Sequence, residues 1–359
     1  VNPCKEAFRM TTTSPRTRAL AGAALLAAAL AAPAAAQQPE RYALRGERVS
    51  IHNLAGRVRL VGGTGQEVVV EVARGGGDAR ELRVSRGRDD GVERLAVVTP
   101  GTRVVYPRMG RGSTSTVSVR EDGTFGRGGR RVTVSGSGRG TEAYADLTVR
   151  VPAGRSVTLH QGVGEVEVAN VDGDLVLNTS SASVASTGTR GSLTVDVGSG
   201  SVRVERAQGD VDVDTGSGSV RMAEVRGRRL SIDTGSGSVT GSGLTADDML
   251  VDVGSGAVQL SGVRAGALRV DTGSGSVQLS LAADARTVEV DTGSGSVRLA
   301  VPSSFGAEVE IDTGSGGIQV DVPAQAQTVR RDYYRGRIGD GRGRVEIDTG
   351  SGGVRITRS

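Results

Sequence analysis

The residues with the clearest chemical potential are aspartates. An aliphatic residue followed by Asp-Thr-Gly-Ser occurs at Val213, Ile232, Val270, Val290, Ile311 and Ile347. Such a tract can supply a carboxylate for acid–base hydrolysis, but the chemistry needs two carboxylates that share one proton across a twofold-related pair of loops. Here the copies recur one repeat apart, inside segments that already carry a packing pattern. The tract therefore reads as a turn, and no catalytic residue is expected. His52 and His160 stand in repeat-like positions and read as structural. The outward acids Asp212, Glu289, Glu310 and Glu346 read as a solvated strand face. The enzymatic alternative is a polysaccharide lyase or hydrolase on a β-helix scaffold, which would need acids and a base gathered in one groove.

The elements that hold these aspartates follow from the period. With the Asp as position zero, the column runs Asp196, Asp214, Asp233, Asp252, Asp271, Asp291, Asp312 and Asp348, in steps of 18, 19, 19, 19, 20, 21 and 36. Asn178 and His160 extend it backwards, and His52 is an isolated earlier relative. Positions −3 and −1 are apolar, as in Val211 and Val213, and so are +6 and mostly +8, as in Val220 and Met222. Alternation at period two on both sides of the tract implies two short strands per repeat, each with one buried face. Buried positions are odd before the tract and even after it, so a corner must re-aim the side chains. Gly216, Gly218, Gly235, Gly237, Gly273, Gly275, Gly293 and Gly295 are the expected structural turn residues. The Asp should point outward and accept a hydrogen bond from the turn's own amides.

One repeat buries too little to fold alone. Four aliphatic side chains contribute about 6–12 kcal/mol, against roughly 19–38 kcal/mol of backbone entropy for nineteen residues. Stacking closes the gap. The expected fold is all-β: a parallel β-solenoid (β-helix-like) of about ten coils of 18–21 residues, with an N-terminal β cap region.

A ladder of aspartates about 5 Å apart costs roughly 1 kcal/mol per neighbour at water's dielectric constant. Turn amides, arginines at +7 (Arg203, Arg221, Arg298, Arg355) or cations could relieve it. Asp196, Asp214, Asp233, Asp252, Asp271, Asp291 and Asp312 are the candidate calcium column, but the spacing does not match nonapeptide calcium repeats. No obligatory metal and no cofactor are expected.

Around the array, residues 1–36 read as an upstream stretch plus a secretory signal, Met10–Ala36, with basic Arg16 and Arg18, an apolar run and Ala34-Ala35-Ala36. They hold the one cysteine, Cys4. Their loss leaves 40 basic and 39 acidic residues, so neither nucleic acid nor an anionic membrane is an expected partner. After cleavage no integral membrane segment is expected, and the location is the periplasm, the cell surface or the exterior. Residues 40–152 read as an N-terminal β region or cap with a mobile Gly-, Arg- and Ser-rich loop at 101–145. Residues 153–359 read as the repeat domain, with an insertion at 324–344. That insertion should form a hairpin over the last coil. Its functional alternative is a contact patch of Tyr333, Tyr334, Arg335 and Arg337.

Export followed by a β region and coils such as "VDTGSGSV" makes the chain resemble the bacterial "putative adhesin" domain-of-unknown-function family of envelope β-strand-repeat proteins, over roughly residues 43–356. The resemblance implies an exported, non-enzymatic β-solenoid and supplies no catalytic residues. The expected role is an adhesin-like binding or structural surface that meets an envelope glycan or protein.

Overall fold

The computed structural model describes residues 39–359; the expected signal Met10–Ala36 and Cys4 lie outside them. Described residues form a 25-stranded sheet and a separate three-stranded sheet. In the large sheet, equivalent strands of successive repeats pair in parallel and in register, apart from a shift between Leu260 and Val263. Leu193–Ser199, Val211–Ser217 and Arg229–Ser236 align so that Asp196, Asp214 and Asp233 are direct partners. The second strands, Val202–Glu205, Val220–Ala223 and Val239–Ser242, align in the same way.

The burial pattern explains the pairing. Val211, Val213, Thr215, Val220 and Met222 are buried while Asp212 and Asp214 face outward. A one-residue slip would send every valine to solvent, so the register is strongly specified. A third, very short side closes each turn. It consists of single bridges linking Asp172, Arg190, Gln208, Arg226 and Thr245, with Val171, Thr189, Ala207, Val225 and Leu244 buried beside them at position +11. The reading of two strands per repeat missed this side. A left-handed residue at +10 makes its corner: Asn170, Arg206 and Glu224 at φ of 52–54°, Gly188 and Gly243 at 70° and 63°.

At both ends, stacking order departs from chain order. Arg48–Gly63 is a full member of the array, pairing with Arg155–Ala169 along both halves, with His52 beside His160. The array therefore begins well before the boundary expected at 153. Val92–Val98 and Tyr144–Pro152 lie on the far side of Arg48–Gly63. Antiparallel strands Arg83–Asp89, Val68–Gly75 and Glu40–Leu44 continue that end. At the other end, Gly343–Ser351 lies between Thr287–Ser294 and Ala307–Thr313, so the column runs Asp291, Asp348, Asp312. Sequential stacking, the simplest reading of the period, fails here.

Two further segments sharpen the sequence reading. The glycine-rich stretch expected as a mobile loop is the three-stranded sheet Arg103–Val105, Thr114–Val119 and Arg130–Ser135. Alternate valines give it a small core in which Val104, Val117, Val119, Val132 and Val134 pack with Leu54, Ala55 and Val163 of the array. The insertion at 324–344 contains the antiparallel pair Ala324–Val329 and Tyr333–Ile338, and the second of these covers the outer edge of Ala307–Thr313.

Candidate binding surface

The glycine corner aims the aspartates. Gly237, at φ 151°, stands where a Cβ would sit 2.1 Å from the carbonyl oxygen of Gly218 in the preceding repeat. In that backbone conformation any side chain would collide with the neighbouring turn, so glycine is favoured there; Ala182 takes the same corner position opposite Gly164 without a positive φ. Gly218, Gly275 and Gly295 share the geometry of Gly237, with φ of 147–158°. Gly216, Gly235, Gly273 and Gly293, two residues earlier, lack the positive φ, but a Cβ there would still come within 2.6–2.7 Å of a carbonyl oxygen.

The column aspartates point outward, as expected, yet the expected intra-turn hydrogen bond is absent. At several corners the buried threonine at +1 reaches the neighbouring repeat, whereas Thr215 Oγ1 is buried without a partner. Thr234 Oγ1 donates to the Gly218 carbonyl at 3.5 Å, Thr292 Oγ1 to Gly275 at 3.4 Å and Thr349 Oγ1 to Gly295 at 3.4 Å. Two carboxylates at −4 do accept backbone amides: Asp174 from Ser192, and Asp210 from Arg228 and Arg229. Nor do the +7 arginines neutralise the column, because Arg203 pairs with Glu205 at 2.8 Å and Arg355 with Asp321 at 2.8 Å.

The column is therefore an under-compensated line of charge. Partial burial and then the neighbouring Asp214 hold the Asp196 carboxyl above its ordinary value. Burial followed by Asp252, Asp214 and Asp212 raises Asp233. Burial followed by Glu346, Asp291, Asp312 and Glu310 raises Asp348. Among the described residues, no group of three or more His, Cys, Asp or Glu is arranged to hold a metal ion. The acids stand side by side along one strand ladder, and register pairs each with its neighbour in the stack, which is not the paired geometry that proton-sharing hydrolysis requires.

At the N-terminal end the same column carries imidazoles. His52 and His160 stack at 4.3 Å with an interplanar angle of 8°, and Phe125 from the three-stranded sheet meets His52 edge-on at 5.6 Å. Asn178 Nδ2 donates to His160 Nδ1 at 3.4 Å, and Ser50 Oγ shares a 3.1 Å hydrogen bond with His52 Nε2. Burial, then His160 and Arg94, push the His52 pKa down to about 3; burial lowers His160 as well. A neutral, stacked pair is what such surroundings favour.

The insertion patch divides. Tyr334 is only 6 % exposed and packs in the main core. Tyr333 donates its hydroxyl to Glu310 at 2.9 Å, and Arg337 pairs with Glu308 at 2.6 Å. Arg335 faces Glu310 across the same strand pair. An arginine–tyrosine grouping that sequence reasoning missed lies near the other end. Arg108 sits 5.5 Å over the Tyr144 ring and pairs with Asp146 at 2.9 Å, while Tyr106 meets Tyr144 edge-on at 5.2 Å. Beside them opens a polar cleft of about 270 Å³ whose lining includes Arg108, Ser113, Glu165, Ser181, Ser183 and Ser199. No motif signalled it, because the lining residues come from four separate segments.

No curated protein matches the sequence. Among solved structures, the chain is similar to one described as a "putative cell adhesion protein" from Clostridium sporogenes, at 10 % identity over 90 % of this chain and 100 % of that one. The TM-score is 0.23, which carries no argument about fold or role. The pattern of the Toastrack DUF4097 family matches residues 102–357, about seven-tenths of the sequence. The chain belongs to the Toastrack DUF4097 family.

Proposed function

We propose that this protein is an exported, non-enzymatic β-solenoid that serves as an adhesin-like binding or structural surface in the periplasm or at the cell surface. The observation that carries the reading is the unbroken outward column from Asp196 to Asp312, in which carboxylates repeat at one strand spacing and none is paired for proton transfer. A rigid line of identical groups suits weak contacts multiplied along a polymer more than a single strong site, because linked contacts raise avidity without new chemistry. The partner class is an envelope glycan or protein. Near-balanced charge outside residues 1–36 argues against nucleic acid.

The test is co-sedimentation of the purified chain with a panel of envelope polysaccharides, with product analysis on the same samples. The reading expects retention that weakens with salt and no glycan cleavage. Turnover abolished by a single Asp or Glu substitution would replace it with the hydrolase or lyase alternative.

A further inference from the structure

The last repeat occupies a place that chain order does not give it. Gly343–Ser351 is parallel to Thr287–Ser294 on one side and to Ala307–Thr313 on the other, with Asp291, Asp348 and Asp312 as successive partners. Val354–Arg358 is likewise held between Val297–Val301 and Ile318–Val320. The three tracts, "VEVDTGSGSV", "VEIDTGSGGV" and "VEIDTGSGGI", are nearly interchangeable.

Two consequences follow from this near-identity. First, the Asp312 repeat presents the same pattern to the Asp291 repeat as the Asp348 repeat does, so the two could stack directly, and the last repeat holds open a gap between them. The five residues Pro302–Gly306 can extend about 17 Å, enough to cross the two strand spacings of about 4.8 Å each that the open gap requires. Second, the last repeat is joined to the strand before it by the short turn from Gly339 to Arg342, where Gly339 and Gly341 have φ of 55° and 73°. An element on a short hinge is the arrangement from which identical copies exchange segments.

We propose that the gap between Thr287–Ser294 and Ala307–Thr313 is a strand-binding site whose second occupant is the C-terminal repeat, Gly343–Arg358, of another copy of this chain. Each exchanged repeat makes the same register contacts it makes within its own chain, so the linked pair needs no new surface. This inference is independent of any role in adhesion.

The experiment uses full-length chains carrying Cys4→Ser. Glu289 and Glu346 are register partners on adjacent strands, at a separation of about 4.8 Å that a disulfide can bridge. Chains with Glu289→Cys and chains with Glu346→Cys are co-refolded at low and high concentration and oxidised. The proposal expects a disulfide-linked mixed dimer, rising with concentration and roughly tenfold above that from either variant alone. The doubly substituted chain should close its disulfide internally at low concentration. An internal disulfide with no mixed dimer at any concentration would overturn the exchange. Failure of the double variant to cross-link in any form would remove the last repeat from the gap, and the proposal with it.

Discussion

The same column position has opposite character in two regions of the array. In the central turns, from Asp214 to Asp291, it carries carboxylates open to solvent that repel one another. In the first two turns it carries His52 and His160, stacked under the edge of Phe125. The backbone job is shared, since both regions turn at a left-handed glycine, Gly164 at φ 131° and Gly237 at φ 151°. What covers the column therefore decides which side chain can stand in it. Water tolerates a line of charge, whereas a lid favours neutral rings.

The largest expected effect tests what the two regions share. A Cβ at Gly164 would lie 1.9 Å from the Gly56 carbonyl oxygen, and one at Gly237 2.1 Å from that of Gly218. Gly164→Ala and Gly237→Ala should each cost about 3–5 kcal/mol in urea unfolding. A large loss in one and none in the other would break the equivalence of the two corners.

Exchanging the column residues sharpens the contrast. His52→Asp places a carboxylate under the lid, where an unpaired buried charge should cost about 3 kcal/mol or more at neutral pH. Asp233→His, in the open column, should stay within about 1 kcal/mol of the parent. Equal costs in thermal melts would mean that the lid is not what separates the regions.

Acid should move the two regions in opposite directions, by about 2 kcal/mol at His52 between pH 7 and 5. His52 has a folded pKa of about 3 against an ordinary value of 6.5, so the unfolded chain binds the extra proton between those values. Stability from this site is present above pH 6.5 and declines by up to about 1.4 kcal/mol per unit as pH falls through that window. Asp196, Asp233 and Asp348 are raised in the fold. Their contribution is fully present below the ordinary carboxylate pKa and is lost as pH rises through the folded one. Hydrogen exchange between pH 7 and 5 should thus show protection falling around residues 48–63 and 155–169 while the central turns hold or gain. His52→Asn should flatten the first trend and leave the second.

Much of this was legible in the sequence, because a fixed period, apolar columns and a change of parity leave little freedom to strands that must bury valine. The outward Asp, the inward Thr and the glycine corner follow from those columns. The third side, with Val171, Ala207 and Val225 at +11, keeps its offset from the column but offers one buried residue per repeat, with no alternation to mark a strand. The valines of the three-stranded sheet were hidden among glycine and arginine. Stacking order at the ends was not legible at all. Tracts as alike as those around Asp291, Asp312 and Asp348 fit one another in any order, so their sequence cannot say which lies between the others.

Spin labels at the column give the most direct test of the account, which places all the turns in register along one line with the Asp348 repeat inside the Asp312 repeat. Counted in strand spacings from Asp214, Asp348 should lie at about 24 Å and Asp312 at about 29 Å between backbone positions. Dipolar distances in the paired variants Asp214→Cys/Asp348→Cys and Asp214→Cys/Asp312→Cys should differ by one spacing, with the Asp348 pair shorter. A shorter Asp312 pair would contradict the order of the turns, and distances that fail to grow with the count would contradict the common axis itself.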